Sequence, residues 1–243
     1  RLQSKRILPA HGYALIWLND EVNDQNGGFL DTDEEGGFLS VSDKQGNLLD
    51  AFQYPEQYTD ISYGRTVDGD TQAPFAYFLQ ATMSESNNGT PVSNERVATP
   101  VLSVKSGFYQ SPFSVSIQCA TPGAKIYYTL DGTNPTPDKK LYTMPVPINS
   151  TVPLRARAYL EGCLEGSVVT ATYMLNERKP DLPVVFMTLD TAYLYNDSIG
   201  IYCVGSNGIS GGGGFGNYNR DWTRYGNFEL LDGQENICLN QDV

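Results

Sequence analysis

Histidine is almost missing from this 243-residue chain: His11 is the one example, against 16 tyrosines. Any Ser-His-Asp triad or Cys–His pair would have to use it, and it stands in a Pro9-Ala-His-Gly12 turn. Cysteines are few, and Cys119, Cys163, Cys203 and Cys238 lie 35 to 44 residues apart. That spacing excludes a C-x-x-C redox pair and a zinc knuckle. Cys119 and Cys163 are left as either a disulfide, if the chain is exported, or two buried thiols. No stretch of about 18 apolar residues occurs, which excludes a membrane-spanning helix. Bases are outnumbered, 16 Lys plus Arg against 28 Asp plus Glu, and the net charge of −12 repels nucleic acid phosphates and anionic membrane surfaces.

The chain has short alternating runs and almost no helical periodicity. Gly37-Phe-Leu-Ser-Val-Ser42 and Asn47-Leu-Leu-Asp-Ala-Phe-Gln-Tyr54, joined by Asp43-Lys-Gln-Gly46, read as a hairpin, and Tyr13-Ala-Leu-Ile-Trp-Leu18 as a further strand. Val115, Ile117 and Cys119 alternate with Ser114, Ser116 and Gln118. Ile126, Tyr128 and Leu130 alternate with Lys125, Tyr127 and Thr129. Leu154, Ala156 and Ala158 point inward on the same pattern, with Arg155 and Arg157 outward, and Val169, Ala171 and Tyr173 complete the dry face. About seven short strands in roughly 80 residues suggest a sandwich. Pro183-Val-Val-Phe-Met-Thr-Leu189 is continuously apolar, as in a strand buried on both faces, and Asp190 is placed to cap a short helix through Tyr195.

Charge divides the chain in the same places. Residues 1–90 carry a net −9, residues 98–176 carry +2 and residues 177–243 carry −5. The changes fall at turn-forming segments, residues 84–91 and 176–181, read here as linkers.

Local motifs offer little chemistry. Gly211, Gly213 and Gly216 fit G-x-G-x-x-G, but no capped helix follows to meet a pyrophosphate, and the last lysine, Lys179, lies upstream, so no strand lysine can hold phosphates. The segment reads as a surface loop. Asp31-Thr-Asp-Glu-Glu-Gly36 spaces oxygens as a calcium loop begins, yet its twelfth position is Ser42 where a bidentate Glu is needed. No catalytic, cofactor or metal residue is assigned. For ligand stacking, Tyr127 on the outer face, Asp131 in the neighbouring turn, and Trp222 between Arg220 and Arg224 are the candidates.

Three families are suggested by particular words. Leu8-Pro-Ala-His-Gly-Tyr-Ala-Leu-Ile-Trp17, the Asp43–Gly46 hairpin and Asp60-Ile-Ser-Tyr-Gly-Arg65 with Asp68-Gly69 resemble the later strands of a lamin-tail domain, an immunoglobulin-like sandwich. Ser106-Gly-Phe-Tyr109, Val115-Ser-Ile117, Lys125-Ile-Tyr-Tyr-Thr-Leu-Asp-Gly-Thr-Asn-Pro-Thr136 and Leu154-Arg-Ala-Arg-Ala158 resemble the chitobiase/β-hexosaminidase C-terminal module, which implies an accessory, non-catalytic sandwich. Asp181-Leu-Pro-Val-Val185, Ile199-Gly-Ile-Tyr202, Asn219-Arg-Asp-Trp-Thr-Arg224 and Asn227-Phe-Glu229 resemble the opening of a CotH-type spore-coat protein kinase domain. That resemblance covers only the start of the domain, before its catalytic residues.

The expectation is therefore a mainly β chain: two immunoglobulin-like β-sandwiches in tandem, residues 1–90 and 98–176, followed by a truncated α/β segment, residues 180–243. The expected role is that of non-catalytic spacer or interaction modules in a secreted or surface-attached bacterial protein. Its partners would be other domains of the parent, a surface polysaccharide or a protein, with no nucleic acid and no cofactor. Two alternatives are carried: the front end of a secreted CotH-type kinase, and a carbohydrate-binding module.

Overall fold

The computed structural model describes residues 12–14, 35–43, 45–58, 61–206, 216–220, 222–234 and 236–242. Most of the expected strand at residues 13–18, His11, the opening of the Asp31–Gly36 loop and most of the Gly211–Gly216 loop lie outside them. Among the described residues strand accounts for 39% and helix for 4%, so the architecture is built from sheets. It divides into two compact units, residues 1–95 with 162–164, and residues 96–161 with 165–243.

In the first unit, β1 (Gly37–Ser42) and β2 (Leu48–Tyr54) form the expected hairpin. Its turn is held by Asp43, whose carboxylate accepts the amides of Gln45 (2.9 Å) and Asn47 (2.8 Å) and the Asn47 side chain (2.7 Å). An Asx turn of this kind lets a side chain replace main-chain partners. The Asn47 side chain is the main reason the Asp43 carboxyl sits below its ordinary value. A second sheet joins β3 (Tyr63–Arg65), β4 (Phe75–Phe78) and β5 (Val92–Ser93). Ala76, Tyr77 and Phe78 supply much of its buried core. Arg65 fixes the outer side: it pairs with Asp50 at 2.7 Å and lies over the Phe75 ring at 4.5 Å.

The second unit contains β6 (Val101–Leu102), β7 (Gly107–Tyr109), β8 (Phe113–Val115), β9 (Ile117–Gln118), β10 (Lys125–Thr129), β11 (Lys140–Leu141), β12 (Val146–Ile148), β13 (Val152–Tyr159) and β14 (Val169–Leu175). The large sheet runs β11-β10-β13-β14-β7, antiparallel except for the β14–β7 pair. The smaller pairs β12-β8 and β6-β9 complete the set. Between them lie Val115, Ile117, Ile126, Val146, Ile148, Leu154, Ala156, Ala158, Ala171 and Tyr173, all buried. The period-2 pattern thus places the dry face where the sequence indicates.

After β14 come β15 (Val184–Leu189), α1 (Ala192–Tyr195), a single 3-10 turn at Asn217–Asn219, β16 (Gly226–Leu231) and β17 (Ile237–Asp242). β15, β16 and β17 form one antiparallel sheet in that order. Asp190 accepts the Ala192 amide at 2.8 Å at the start of α1. The β16–β17 turn repeats the Asp43 device: Asp232 accepts Gln234 N (2.8 Å), Asn236 N (2.8 Å) and Asn236 Nδ2 (2.9 Å). The spacing Asp-x-Gln-x-Asn is the same in both turns.

Three expectations are corrected. β15 is not buried on both faces: Phe186 and Thr188 are inside, but Val185 and Met187 are 49% and 68% exposed. Arg155 does not point to water; it is 5% exposed. Thr129, placed with it on the outer face, is buried as well. The last two have one cause, described next.

Candidate functional site

The large sheet has an outer face that alternation assigns to Lys125, Tyr127 and Thr129 on β10, Tyr159, Arg157 and Arg155 on β13, and Thr170 and Thr172 on β14. One half of it is covered. Ser106, Thr129, Arg155, Thr170 and Thr172 from the sandwich, with Thr188, Asn227 and Glu229 from the terminal sheet, are all buried polar residues. They form a polar seam within the second unit. A phenylalanine pair, Phe108 and Phe186 at 6.3 Å, lies beside it.

Glu229 is at the centre and is wholly buried. On β16, Asn227, Glu229 and Leu231 alternate inward with Phe228 and Leu230 outward. The Glu229 carboxylate receives the Ser106 hydroxyl, the Thr172 hydroxyl (2.6 Å) and the Asn240 amide (3.1 Å). Ser106 Oγ in turn accepts the Thr172 amide at 3.1 Å, and Asn240 Nδ2 donates to Thr170 O at 2.9 Å. A buried ionisable group is tolerable when its lone pairs are satisfied. Burial nevertheless pushes the Glu229 carboxyl above its ordinary value, against the pull of the Ser106 and Thr172 hydroxyls.

Arg155 crosses the same seam. Its guanidinium donates to Gly132 O (3.0 Å) and Thr170 Oγ1 (3.4 Å) and lies 3.9 Å from the Asp242 carboxylate. Desolvation is the main influence on it and lowers its pKa. Gly132 also explains the Asp131-Gly132 turn. Its φ is +83°, and a β-carbon there would stand 2.6 Å from Leu189 O at the end of β15. The absence of a side chain is what lets the turn touch the terminal sheet.

The three candidate ligand residues have separate surroundings, and no contact among the described residues joins two of them. Asp131 accepts the Thr133 amide (3.1 Å) and hydroxyl (2.6 Å), and the hydroxyl chiefly lowers its pKa. With Gly132, Pro153, Thr172 and residues 185–189 it lines a cleft of about 270 Å³. Tyr127 lies on the uncovered half of the face, half-buried, with its ring edge-on to Tyr159 at 5.7 Å. Arg157 and Glu165 pair beside them at 2.5 Å. Trp222 is held between two guanidiniums, Arg224 at 4.7 Å and Arg220 at 5.7 Å. Arg224 is anchored in turn on Ile199 O through Nε (2.9 Å) and its terminal nitrogen (2.6 Å). All four cysteines are free, and Cys119 donates to Ala98 O at 3.2 Å.

Ser106, Thr172, Glu229 and Asn240 were not legible as a group. The available signal was a single glutamate in the otherwise uncharged strand Gly226–Leu231, in phase with residues that face inward.

Among known families, the model of the chitobiase/beta-hexosaminidase C-terminal domain matches residues 104–170. The match runs from the lead into β7 to the first residues of β14, and it is consistent with an immunoglobulin-like, non-catalytic module there. No curated protein matches the chain.

Proposed function

We propose that this chain is a non-catalytic spacer and interaction segment of an exported, surface-attached multidomain protein. The observation that carries this reading is the polar seam. The module matched at residues 104–170 turns half of its outer face into a fixed joint with the terminal sheet, as a load-transmitting linker requires and a free ligand platform does not. Residues 1–90 fit this role as a lamin-tail-type sandwich, with the Tyr63–Arg65 word on β3 and the Asp43 turn between β1 and β2. Residues 180–243 fit it as the opening of a CotH-type domain, whose word 181–185 leads into β15 and whose word 227–229 lies on its partner β16.

The test is a thermal-shift titration of the full chain with magnesium and ATP, and separately with chitin-type and plant-type oligosaccharides. Binding to the folded state raises Tm by mass action, by about 2.7 kcal/mol of stability at a hundredfold excess over Kd. The spacer reading expects no shift with ATP. A shift with ATP overturns it in favour of a kinase front end. A shift with an oligosaccharide that disappears in Tyr127→Ala assigns carbohydrate recognition to the uncovered half of the face instead.

A further inference from the structure

We propose that Glu229 is a proton-operated latch: neutral, it closes the seam between the sandwich and the terminal sheet, and ionised, it loosens that seam. The proposal goes beyond the spacer role and rests on the seam's geometry. Glu229 is wholly buried, and its three partners, Ser106, Thr172 and Asn240, are all neutral. No cation pairs with it among the described residues. Arg155, the charged group that β13 brings to the seam, is turned to Gly132 O, Thr170 and the Asp242 carboxylate of β17. β14 contributes Tyr173 on its other face, whose hydroxyl is bound to Val104 O at 2.8 Å. β15 brings only the uncharged Phe186 and Thr188, and the lead into β7 only Ser106.

The network also has room for the proton. Glu229 Oε1 has two side-chain donors, Ser106 and Asn240, whereas Oε2 takes the Thr172 hydroxyl. A proton on Oε2 would donate to Thr172 Oγ1, and the Thr172 hydrogen would turn to Thr188 Oγ1, 3.5 Å away. Neutral Glu229 thus keeps every bond, while the charged form remains desolvated without a counter-ion. Burial raises the carboxyl in the folded state. The corresponding stability is fully present below the unfolded carboxyl pKa and is lost as pH rises through the folded one.

The experiment is the Tm of the full chain from about pH 4 to pH 8, wild type against Glu229→Gln. Gln keeps the shape and cannot ionise. The depressed carboxyls of Asp43, Asp50, Asp68, Asp131, Asp138 and Asp232 are common to both proteins and cancel in the difference. The latch predicts similar Tm values at the acid end and a variant melting about 2–4 °C above wild type at the alkaline end. A difference that does not change with pH overturns it. Should the variant not fold, the carboxyl carbon of Glu229 can be titrated by NMR in the wild-type chain. A midpoint above the ordinary glutamate value supports the latch, and one at or below it refutes the proposal.

Discussion

Tyr173→Ala will unfold the second unit at temperatures where the wild type is intact. Tyr173 is completely buried at the centre of β14, opposite Val152 on β13 and Gly107 on β7. Its ring meets Phe113 edge-on at 5.3 Å and Tyr109 at 6.0 Å, so it connects the large sheet to the β8 side of the sandwich. Removing a buried aromatic side chain costs about 3–5 kcal/mol, because the lost contacts are compounded by the cavity left behind. A domain has only about 5–15 kcal/mol in total. The expected fall in Tm is about 10 °C or more. Tyr173→Phe keeps the ring and loses only the bond to Val104 O, about 0.5–1.5 kcal/mol. Urea denaturation of the three proteins, followed by circular dichroism, checks the order. Equal losses for Ala and Phe would mean that the hydroxyl, and not ring packing, holds this core.

Gly132→Ala will damage the joint between sandwich and terminal sheet far more than the same change at Gly123. The two glycines have similar backbones, φ +83° and +77°, and so share the strain of a side chain in the left-handed region. That strain is about 1–3 kcal/mol. Their surroundings differ. A β-carbon at Gly123 meets only Leu160 Cδ1, at 4.0 Å, while at Gly132 it lies 2.6 Å from the main-chain oxygen of Leu189. Backbone cannot rotate out of the way as a side chain can, so the turn and the end of β15 must separate. That separation also pulls Gly132 O from Arg155. The excess loss at Gly132 over Gly123, read from paired denaturation curves, is expected to exceed about 1 kcal/mol. Equal losses would show that the contact with Leu189 carries no energy.

The dry side of the sandwich was legible because it follows a simple rule. Leu154, Ala156 and Ala158 are each fully buried, as alternation requires. The wet side was not. Arg155, Thr129, Thr170 and Thr172 have the residue types of a solvated face, and nothing within their own strands marks them as covered. The cover comes from β15 and β16, more than ten residues further along, and it carries polar groups of its own. β15 misled for the converse reason. Its apolar run suggested burial on both sides, but Val185 and Met187 are exposed, and only Phe186 and Thr188 turn inward. The Asp131-Gly132 turn is legible as a motif, and its reason lies in Leu189, a contact that spacing does not encode. The arginines that flank Trp222 in the sequence, Arg220 and Arg224, lie over its ring.

The seam implies that the sandwich and the terminal sheet open as one body. Native-state hydrogen exchange on the full chain tests it most directly, by comparing amides of β13 and β14 with those of β16. The seam predicts that Leu154, Ala156 and Ala171 open with free energies within about 1 kcal/mol of those of Glu229 and Leu231. Exchange from β16 at a much lower free energy, while β13 and β14 stay protected, would contradict it and leave the terminal sheet a loosely attached appendage.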